Sequence, residues 1–263
     1  MHNKIIKIGI TGAYGRMGSS ILTEVKKYKN VICTCIIVKV INKKNCFYDK
    51  KIKITENIEK EINTFDVLID FTTPKNTLNN LYICKKYQKN IIIGTTGFNE
   101  SEMSIIKQYS KYIAIVFSAN FSIGINVIFQ MLKQATKMLD ESYDIEILEK
   151  HHRNKIDSPS GTALKIGNII AKYKKWNLNE SSIYRKKEIT KIRKSNQIGF
   201  SIIRGGNIIG EHEIMFLGAG ENIIIKHQAN NRNTFSNGAI QSAIWVITKE
   251  YGLFSMIDVL NMS

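Results

Sequence analysis

The sequence predicts an α/β chain in two parts: a doubly wound parallel sheet first, then an α+β arrangement whose sheet is mixed but largely antiparallel. Three observations carry this. At the N-terminus a short apolar strand runs through a glycine turn into an amphipathic helix. Apolar runs of strand length then alternate with helical periodicity as far as Phe117. Beyond Ser122 the rhythm changes to a long helix, a strand and a second helix, followed by strands separated by glycine turns.

The first strand is Ile5-Ile6-Lys7-Ile8-Gly9-Ile10, and the helix after it is marked by Ile21, Leu22, Val25 and Tyr28. Residues 31–38, 65–69, 91–93 and 113–117 read as strands, and 77–87 and 100–109 as helices. The strands end in Asp70-Phe71-Thr72-Thr73-Pro74, Gly94-Thr95-Thr96-Gly97 and Ser118-Ala119-Asn120-Phe121. Ligands of such sheets bind beyond the carboxyl ends of the strands, so these loops are expected to line a crevice; plain turn chemistry is the other reading. Residues 124–139 read as a helix, 143–148 as a strand, and another helix opens at Gly161. Residues 198–203, 208–216 and 222–228 read as antiparallel strands, with Gly205-Gly206-Asn207 and Gly218-Ala219-Gly220 as turns. A last helix runs from Arg232 to Tyr251.

Two motifs carry chemistry. Gly12-Ala13-Tyr14-Gly15-Arg16-Met17-Gly18 follows the first strand in Rossmann order, as a G-x-x-G-x-x-G variant of the usual fingerprint. Its glycines keep the turn tight and let backbone amides approach a pyrophosphate, with Arg16 placed to add charge. The second motif runs from Glu149 to Ala163 and concentrates His151, His152, Arg153, Lys155 and a helix start at Ser158-Pro159-Ser160-Gly161-Thr162. Two adjacent imidazoles cannot both enter a core, and a buried lysine needs a partner. The free amides and dipole of the helix start receive a carboxylate or phosphate. The segment therefore reads as a site for an anionic substrate that must also be protonated.

Composition sets bounds. With 263 residues and 43% hydrophobic content, the chain suits one large or two modest domains. It runs from Met1-His2-Asn3-Lys4 into the first strand, and no apolar run approaches the ~18 residues of a membrane span, so a cytoplasmic chain without a membrane partner is expected. Cys33, Cys35, Cys46 and Cys84 show no metal-ligand spacing, so reduced thiols and no metal are expected. The net charge of +16 would ordinarily raise nucleic-acid binding. The lysines are dispersed among ordinary elements, however, and Arg185, Lys186, Lys187, Lys191, Arg193 and Lys194 read as a solvated loop, so no nucleic-acid partner is expected.

With both motifs placed, the chain resembles the dihydrodipicolinate reductase family nearly end to end. The likeness also rests on the three strand-end loops and on Arg232-Asn233-Thr234-Phe235-Ser236-Asn237-Gly238-Ala239. It implies a dinucleotide-binding domain over 1–122 with 232–263, and a substrate-binding and tetramerisation domain over 123–231. It implies hydride transfer from NADPH or NADH to a small cyclic dicarboxylate, and a homotetramer assembled through the second sheet. It places proton transfer on His151 and proton donation on Lys155, and associates His152, Lys155, Ser160, Gly161, Thr162 and Arg232 with the substrate. Cofactor contacts are implied at Gly12, Ala13, Tyr14, Gly15, Arg16, Met17, Gly94, Thr95, Thr96, Ser118, Ala119, Asn120 and Phe121. The residue chemistry agrees, because a dicarboxylate needs cations and amide donors, and ring reduction needs a proton besides the hydride. Either Lys155 or His151 delivers that proton, while the amides of residues 160–162 hold one carboxylate. His152 has a structural alternative, and Glu149 either orients an imidazole or ends a strand.

One departure matters. Where the family often carries an acid for the ribose hydroxyls, this chain reads Ile36-Ile37-Val38-Lys39-Val40. Val38 cannot accept a hydrogen bond there, and Lys39, with Lys43 or Lys44, meets a 2′-phosphate instead, which predicts a preference for NADPH. The competing readings are a Rossmann-type dehydrogenase of another substrate, a basic nucleic-acid-binding protein, and an inactive dinucleotide binder. Each leaves the histidine segment unexplained.

Overall fold

A computed structural model describes residues 5–40, 51–184 and 192–261. Lys43, Lys44, Cys46 and the stretch 185–191 of the basic loop lie outside the described residues. The chain forms two compact units, Met1–Ile123 with Arg232–Ser263, and Gly124–Asn231.

The first unit opens with β1 (Ile6–Thr11), α1 (Arg16–Val25), β2 (Val31–Ile37), β3 (Lys53–Thr55), a 3-10 helix (Ile58–Thr64) and β4 (Val67–Asp70). It continues through α2 (Pro74–Lys86), β5 (Asn90–Ile93), α3 (Glu100–Tyr109) and β6 (Ala114–Phe117). The second unit carries α4 (Ile123–Met138), β7 (Asp144–His151), α5 (Gly161–Lys174), α6 (Leu178–Ser181), β8 (Ser182–Tyr184), β9 (Ile198–Arg204), β10 (Gly210–Leu217) and β11 (Asn222–Ala229). The chain then returns to the first unit as α7 (Asn233–Val246), β12 (Gly252–Phe254) and α8 (Met256–Val259).

The first sheet has the order β12-β6-β5-β4-β1-β2-β3, with every pairing parallel among the described residues. A doubly wound sheet buries both faces, and here each face has its own core. Ile8, Ile10, Ile69, Ile92 and Val116 meet Ile21 and Leu22 of α1 and Ala239, Ile240 and Ala243 of α7. Leu68, Ile91, Ile93 and Ile115 meet Leu81 and Cys84 of α2 and Ile106 of α3. Each fully enclosed isoleucine stabilises the fold by about 2 kcal/mol. The same burial pushes the free Cys33 and Cys35 thiols up to about 12 and raises that of Cys84. They are core residues.

The last helix stops at Val246, short of the expected Tyr251. Gly252, at φ +134°, turns the chain, donates its amide to the Ser110 carbonyl, and starts an edge strand beside β6.

The second sheet has the order β11-β10-β7-β9-β8. β10 is antiparallel to β11 and β7, but β9 is parallel to β7 and β8, which corrects the antiparallel reading of residues 198–203. The cause is the helix between β7 and β9, because a strand–helix–strand crossover returns the chain in its original direction. Gly205-Gly206-Asn207 is accordingly no hairpin turn; it carries the chain from β9 to the far side of β7, whereas the turn from Gly218 to Glu221 does close a hairpin. Ile145, Ile147, Ile198, Phe200, Ile214 and Phe216 share the face packed on α4 and α5. Among the described residues no helix is long and apolar enough to cross a membrane.

Candidate active site

In the first unit, strand order reverses between β1 and β4, so the loops leaving these strands form the crevice where α/β sheets bind ligands. Gly12 adopts φ +66°, which a side chain disfavours, and its amide donates to the Ile37 carbonyl at the end of β2 (3.1 Å). A Cβ on Gly18 would stand 2.3 Å from the Gly12 carbonyl oxygen, so only glycine lets α1 approach the turn. Gly15 caps α1 without a side-chain acceptor, and no acidic residue occupies the first turn. The helix start is therefore left to receive an anion, with Arg16 exposed beside it. Ala13 is fully buried, and Tyr14 and Met17 pack on the core.

The neighbouring loops are tied to Asp70, which the sequence reading named only as the first residue of a strand-end loop. Asp70 is fully buried and accepts from the Thr72 amide (3.0 Å), the Thr72 hydroxyl (2.7 Å) and Asn80 Nδ2 (2.9 Å). Thr95 Oγ1 accepts from the Thr72 amide (2.9 Å), and the Asp70 carbonyl takes the Gly94 amide (2.8 Å). Gly94 and Thr95 thus brace the loop, while Thr96 is exposed. In the next loop, Ser118 Oγ donates to the Asn120 carbonyl (2.8 Å), buried Phe121 leans on Phe71 (centroids 5.4 Å apart), and Ala119 is exposed. Val38 is buried and Lys39 after it is exposed. Arg232 is half-buried at the N-cap of α7 in this unit.

In the second unit, β7 extends three residues beyond expectation and carries Glu149 and His151 on its helix-covered face. Glu149 is fully buried. Its Oε2 lies 2.9 Å from His151 Nδ1, and its Oε1 accepts from the Ser160 amide (2.9 Å) and from Arg204 Nη2 (2.9 Å). Burial alone would raise this carboxyl, but the close His151 ring and the hydrogen bonds from Ser160 and Arg204 hold it well below the usual carboxylate range. Ser160 Oγ accepts the Ala163 amide (3.1 Å), capping α5, and lies 3.2 Å from Nε2 of buried His212. The rings of His151 and His212 meet edge to face at 5.2 Å. Burial, with His151 beside it, pushes the His212 imidazole down to about 3. Glu149, His151 and His212 place ligand atoms within 4.8 Å of one another. The Arg204 guanidinium stands 2.9 Å from the same carboxylate and supplies a positive charge beside the trio.

The expectation that the Ser160 amide holds a substrate carboxylate is therefore corrected: that amide is spent on Glu149. The Gly161 amide, next in the chain, helps to hold the Asp157 carboxyl below its ordinary value. Lys155 Nζ clamps both Asp157 oxygens at 2.8 Å. Burial raises the Asp157 carboxyl, and the Lys155 contact outweighs it to hold the group below its ordinary value. His152 and Thr162 are half-buried beside these groups in the chain. Arg204 and His212 were missed by sequence reading, since each lies more than fifty positions from Glu149; the only local signal was a polar Glu-His pair inside the strand that begins at Gly210.

Comparison with known proteins extends this picture. Two family models match, "Dihydrodipicolinate reductase, N-terminus" over residues 6–121 and "Dihydrodipicolinate reductase, C-terminus" over residues 124–260. The 4-hydroxy-tetrahydrodipicolinate reductase of Buchnera aphidicola subsp. Acyrthosiphon pisum (strain 5A) is 49% identical, covering 99% of this chain and 100% of its own length. That of Buchnera aphidicola subsp. Baizongia pistaciae (strain Bp) is 47% identical over 100% of both. Among solved structures, the dipicolinate-bound dihydrodipicolinate reductase from Paenisporosarcina sp. TG-14 aligns with TM-score 0.75 at 23% identity, covering 97% of this chain and 98% of that one. A likeness at that identity speaks for the fold.

Proposed function

The chain belongs to the dihydrodipicolinate reductase family, and from that premise we propose how its residues share the reaction. It is an oxidoreductase of lysine and diaminopimelate biosynthesis that uses NAD(P)H to reduce 4-hydroxy-tetrahydrodipicolinate, a cyclic dicarboxylate, to tetrahydrodipicolinate. A hydride and a proton enter the ring and water leaves. The glycine turn fits the cofactor: its close backbone approach, the uncapped α1 start and exposed Arg16 suit a pyrophosphate, with the loops at residues 94–96 and 118–121 alongside. When bound, the reduced nicotinamide supplies the hydride.

One observation carries the substrate reading: Lys155, just before the start of α5, already holds a carboxylate, that of Asp157, by both oxygens at 2.8 Å. A substrate carboxylate takes the same donors in exchange for Asp157, with Thr162 and His152 beside it and Arg232 assigned to the substrate from the first unit. His151 and Lys155 handle the proton. The first unit is the dinucleotide-binding domain and the second the substrate-binding and tetramerisation domain. Lys39, in place of a ribose-binding acid, favours the 2′-phosphate of NADPH. The enzyme works in the cytoplasm as a homotetramer, without metal or nucleic acid.

The test is oxidation of NADPH and of NADH by the purified protein, followed by absorbance while the preceding synthase generates the substrate in the cuvette. Turnover with NADPH favoured, and a preference that disappears in Lys39→Ala, is the expected result; equal use of NADH by the wild type discards the Lys39 argument. Lys155→Ala and His151→Ala each lose on the order of 10²–10⁴ in kcat while NADPH binding is kept. Loss of cofactor binding in both would overturn the domain assignment, and a folded, cofactor-binding wild type without turnover would point to another substrate.

A further inference from the structure

The site contains a buried carboxylate that neither touches substrate nor moves a proton in the mechanism above. We propose that Glu149 is the positioning residue of this site: it holds His151 with the proton on Nδ1, leaving Nε2 to serve the reaction, and it ties that ring to the start of α5. The proposal rests on the role given to His151 above.

The geometry leaves Glu149 little freedom. Its Oε1 faces two donors, the Ser160 amide and Arg204 Nη2, each at 2.9 Å, and an oxygen facing two donors cannot exchange places with a hydrogen-bearing group. Its Oε2 then lies 2.9 Å from His151 Nδ1, an ion-pair distance without the alignment of a hydrogen bond. A carboxylate only accepts, and its negative charge 2.9 Å away favours a neutral imidazole with the proton on Nδ1, which a small rotation of the ring would bring into line with Oε2. On the other side of the ring, Gly210 makes room: a Cβ there would stand 3.1 Å from Nε2. Arg204 supplies the counter-charge that lets the carboxylate remain buried, and its Nη2 also holds the Asp157 carbonyl (2.8 Å). One carboxylate thus fixes the imidazole, the α5 cap residue and, through Arg204, the chain beside Lys155. The charged and titratable groups around His151 are Glu149 on its own strand, Arg204 on β9, His212 on β10, His227 opposite His212 on β11, and Lys155 and Asp157 on the following loop.

The decisive variant is Glu149→Gln. Its amide oxygen stays with Ser160 and Arg204, so its NH2 points at His151 Nδ1; a donor now faces that nitrogen, and the ring must place its own proton on Nε2. Imidazole tautomers are read by 15N NMR of histidine-labelled protein, at a pH high enough for the rings to be neutral, with His151→Ala spectra to assign the signals. We expect the Nδ1–H form of His151 in the wild type and the Nε2–H form in Glu149→Gln. Kinetically, kcat falls about a hundredfold in Glu149→Gln, as loss of correct tautomer and general acid–base function predicts, while NADPH affinity is unchanged and Glu149→Asp recovers part of the loss. An Nε2–H tautomer of His151 in the wild type overturns the proposal without need of any variant. So does a Glu149→Gln protein that keeps the Nδ1–H form, whatever its kinetics. Full turnover in His151→Ala together with the expected tautomer switch would instead remove the catalytic role of the histidine and leave the brace standing.

Discussion

His212 shows how much a single enclosed side chain decides. Its ring is 4% exposed, borders His151 and touches Ser160, so the folded chain keeps it neutral down to about pH 3, against 6.5 for a free imidazole. Between those values the unfolded chain binds a proton that the folded chain refuses, so stability from this residue is complete above pH 6.5 and falls as the pH drops through the window. The loss is on the order of a few kcal/mol. Urea titrations from pH 7 to pH 4 are expected to show it, and His212→Gln should flatten that slope; a variant as acid-sensitive as the wild type would place the sensitivity elsewhere. His151, Lys155 and Ser160 were legible in the sequence because their motif is local and their residue types are hard to explain in any other way. Glu149 was read as orienting an imidazole or ending the strand, but Arg204 and His212 were not legible, because they join it through strand register, with His212 opposite Glu149 and Arg204 opposite His151, and register across separate strands is not written in any local pattern.

At the scale of the element, α5 joins the cluster to the substrate donors. Ser160 is its cap, Lys172 and Lys174 sit favourably in its last turn, and no acidic residue occupies its first turn, which leaves the positive end of its dipole to Asp157 and, on our reading, to a substrate carboxylate. Ser160→Ala removes the bond to the Ala163 amide, a cap worth about 1 kcal/mol, and leaves Nε2 of buried His212 without its hydroxyl, costing about 1–3 kcal/mol more. A fall of about 2 kcal/mol or more is the expected result by urea unfolding, and a change below about 0.5 kcal/mol would mean that water or another group replaces the hydroxyl in both roles. Helix α3 spans Glu100–Tyr109, as its periodicity led the sequence reading to expect, and a capping box of Asn99 and Glu102 fixes its start. The direction of β9 was misread, because apolar strands look alike whichever way they run, and only the preceding helix, seen as a crossover, decides it. The three-residue strands β3, β8 and β12 went unseen, since each is recruited by a neighbour's free edge and has no periodicity of its own.

At the scale of the whole molecule, the chain crosses between its units at Ile123/Gly124 and again at Asn231/Arg232, so the second unit is a continuous insertion within the first. Its sheet has one face on α4 and α5, and register places Leu148, Lys150, Glu211, Glu213, Met215, Leu217, Ile224 and Lys226 together on the other. This second face mixes apolar side chains with a run of opposite charges, Lys150 to Glu211 at 3.3 Å and Lys226 to Glu211 and Glu213 at 3.9 Å. Ile224 is 56% exposed on the edge strand β11. Such a face carries apolar surface for burial and both signs of charge, the composition that the proposed two-fold contact with a second copy would need, and β11 is an edge strand among the described residues. If the proposed homotetramer forms through this sheet, Ile224 lies in the interface. Ile224→Glu places a charge there and is expected to reduce the sedimenting mass from tetramer to dimer or monomer at micromolar concentration, while the circular dichroism of the folded chain is kept because each unit retains its own core. A variant that still sediments as a tetramer would move the interface to another surface, and a wild type that sediments as a monomer would leave this face to solvent and remove the tetramer from the proposal.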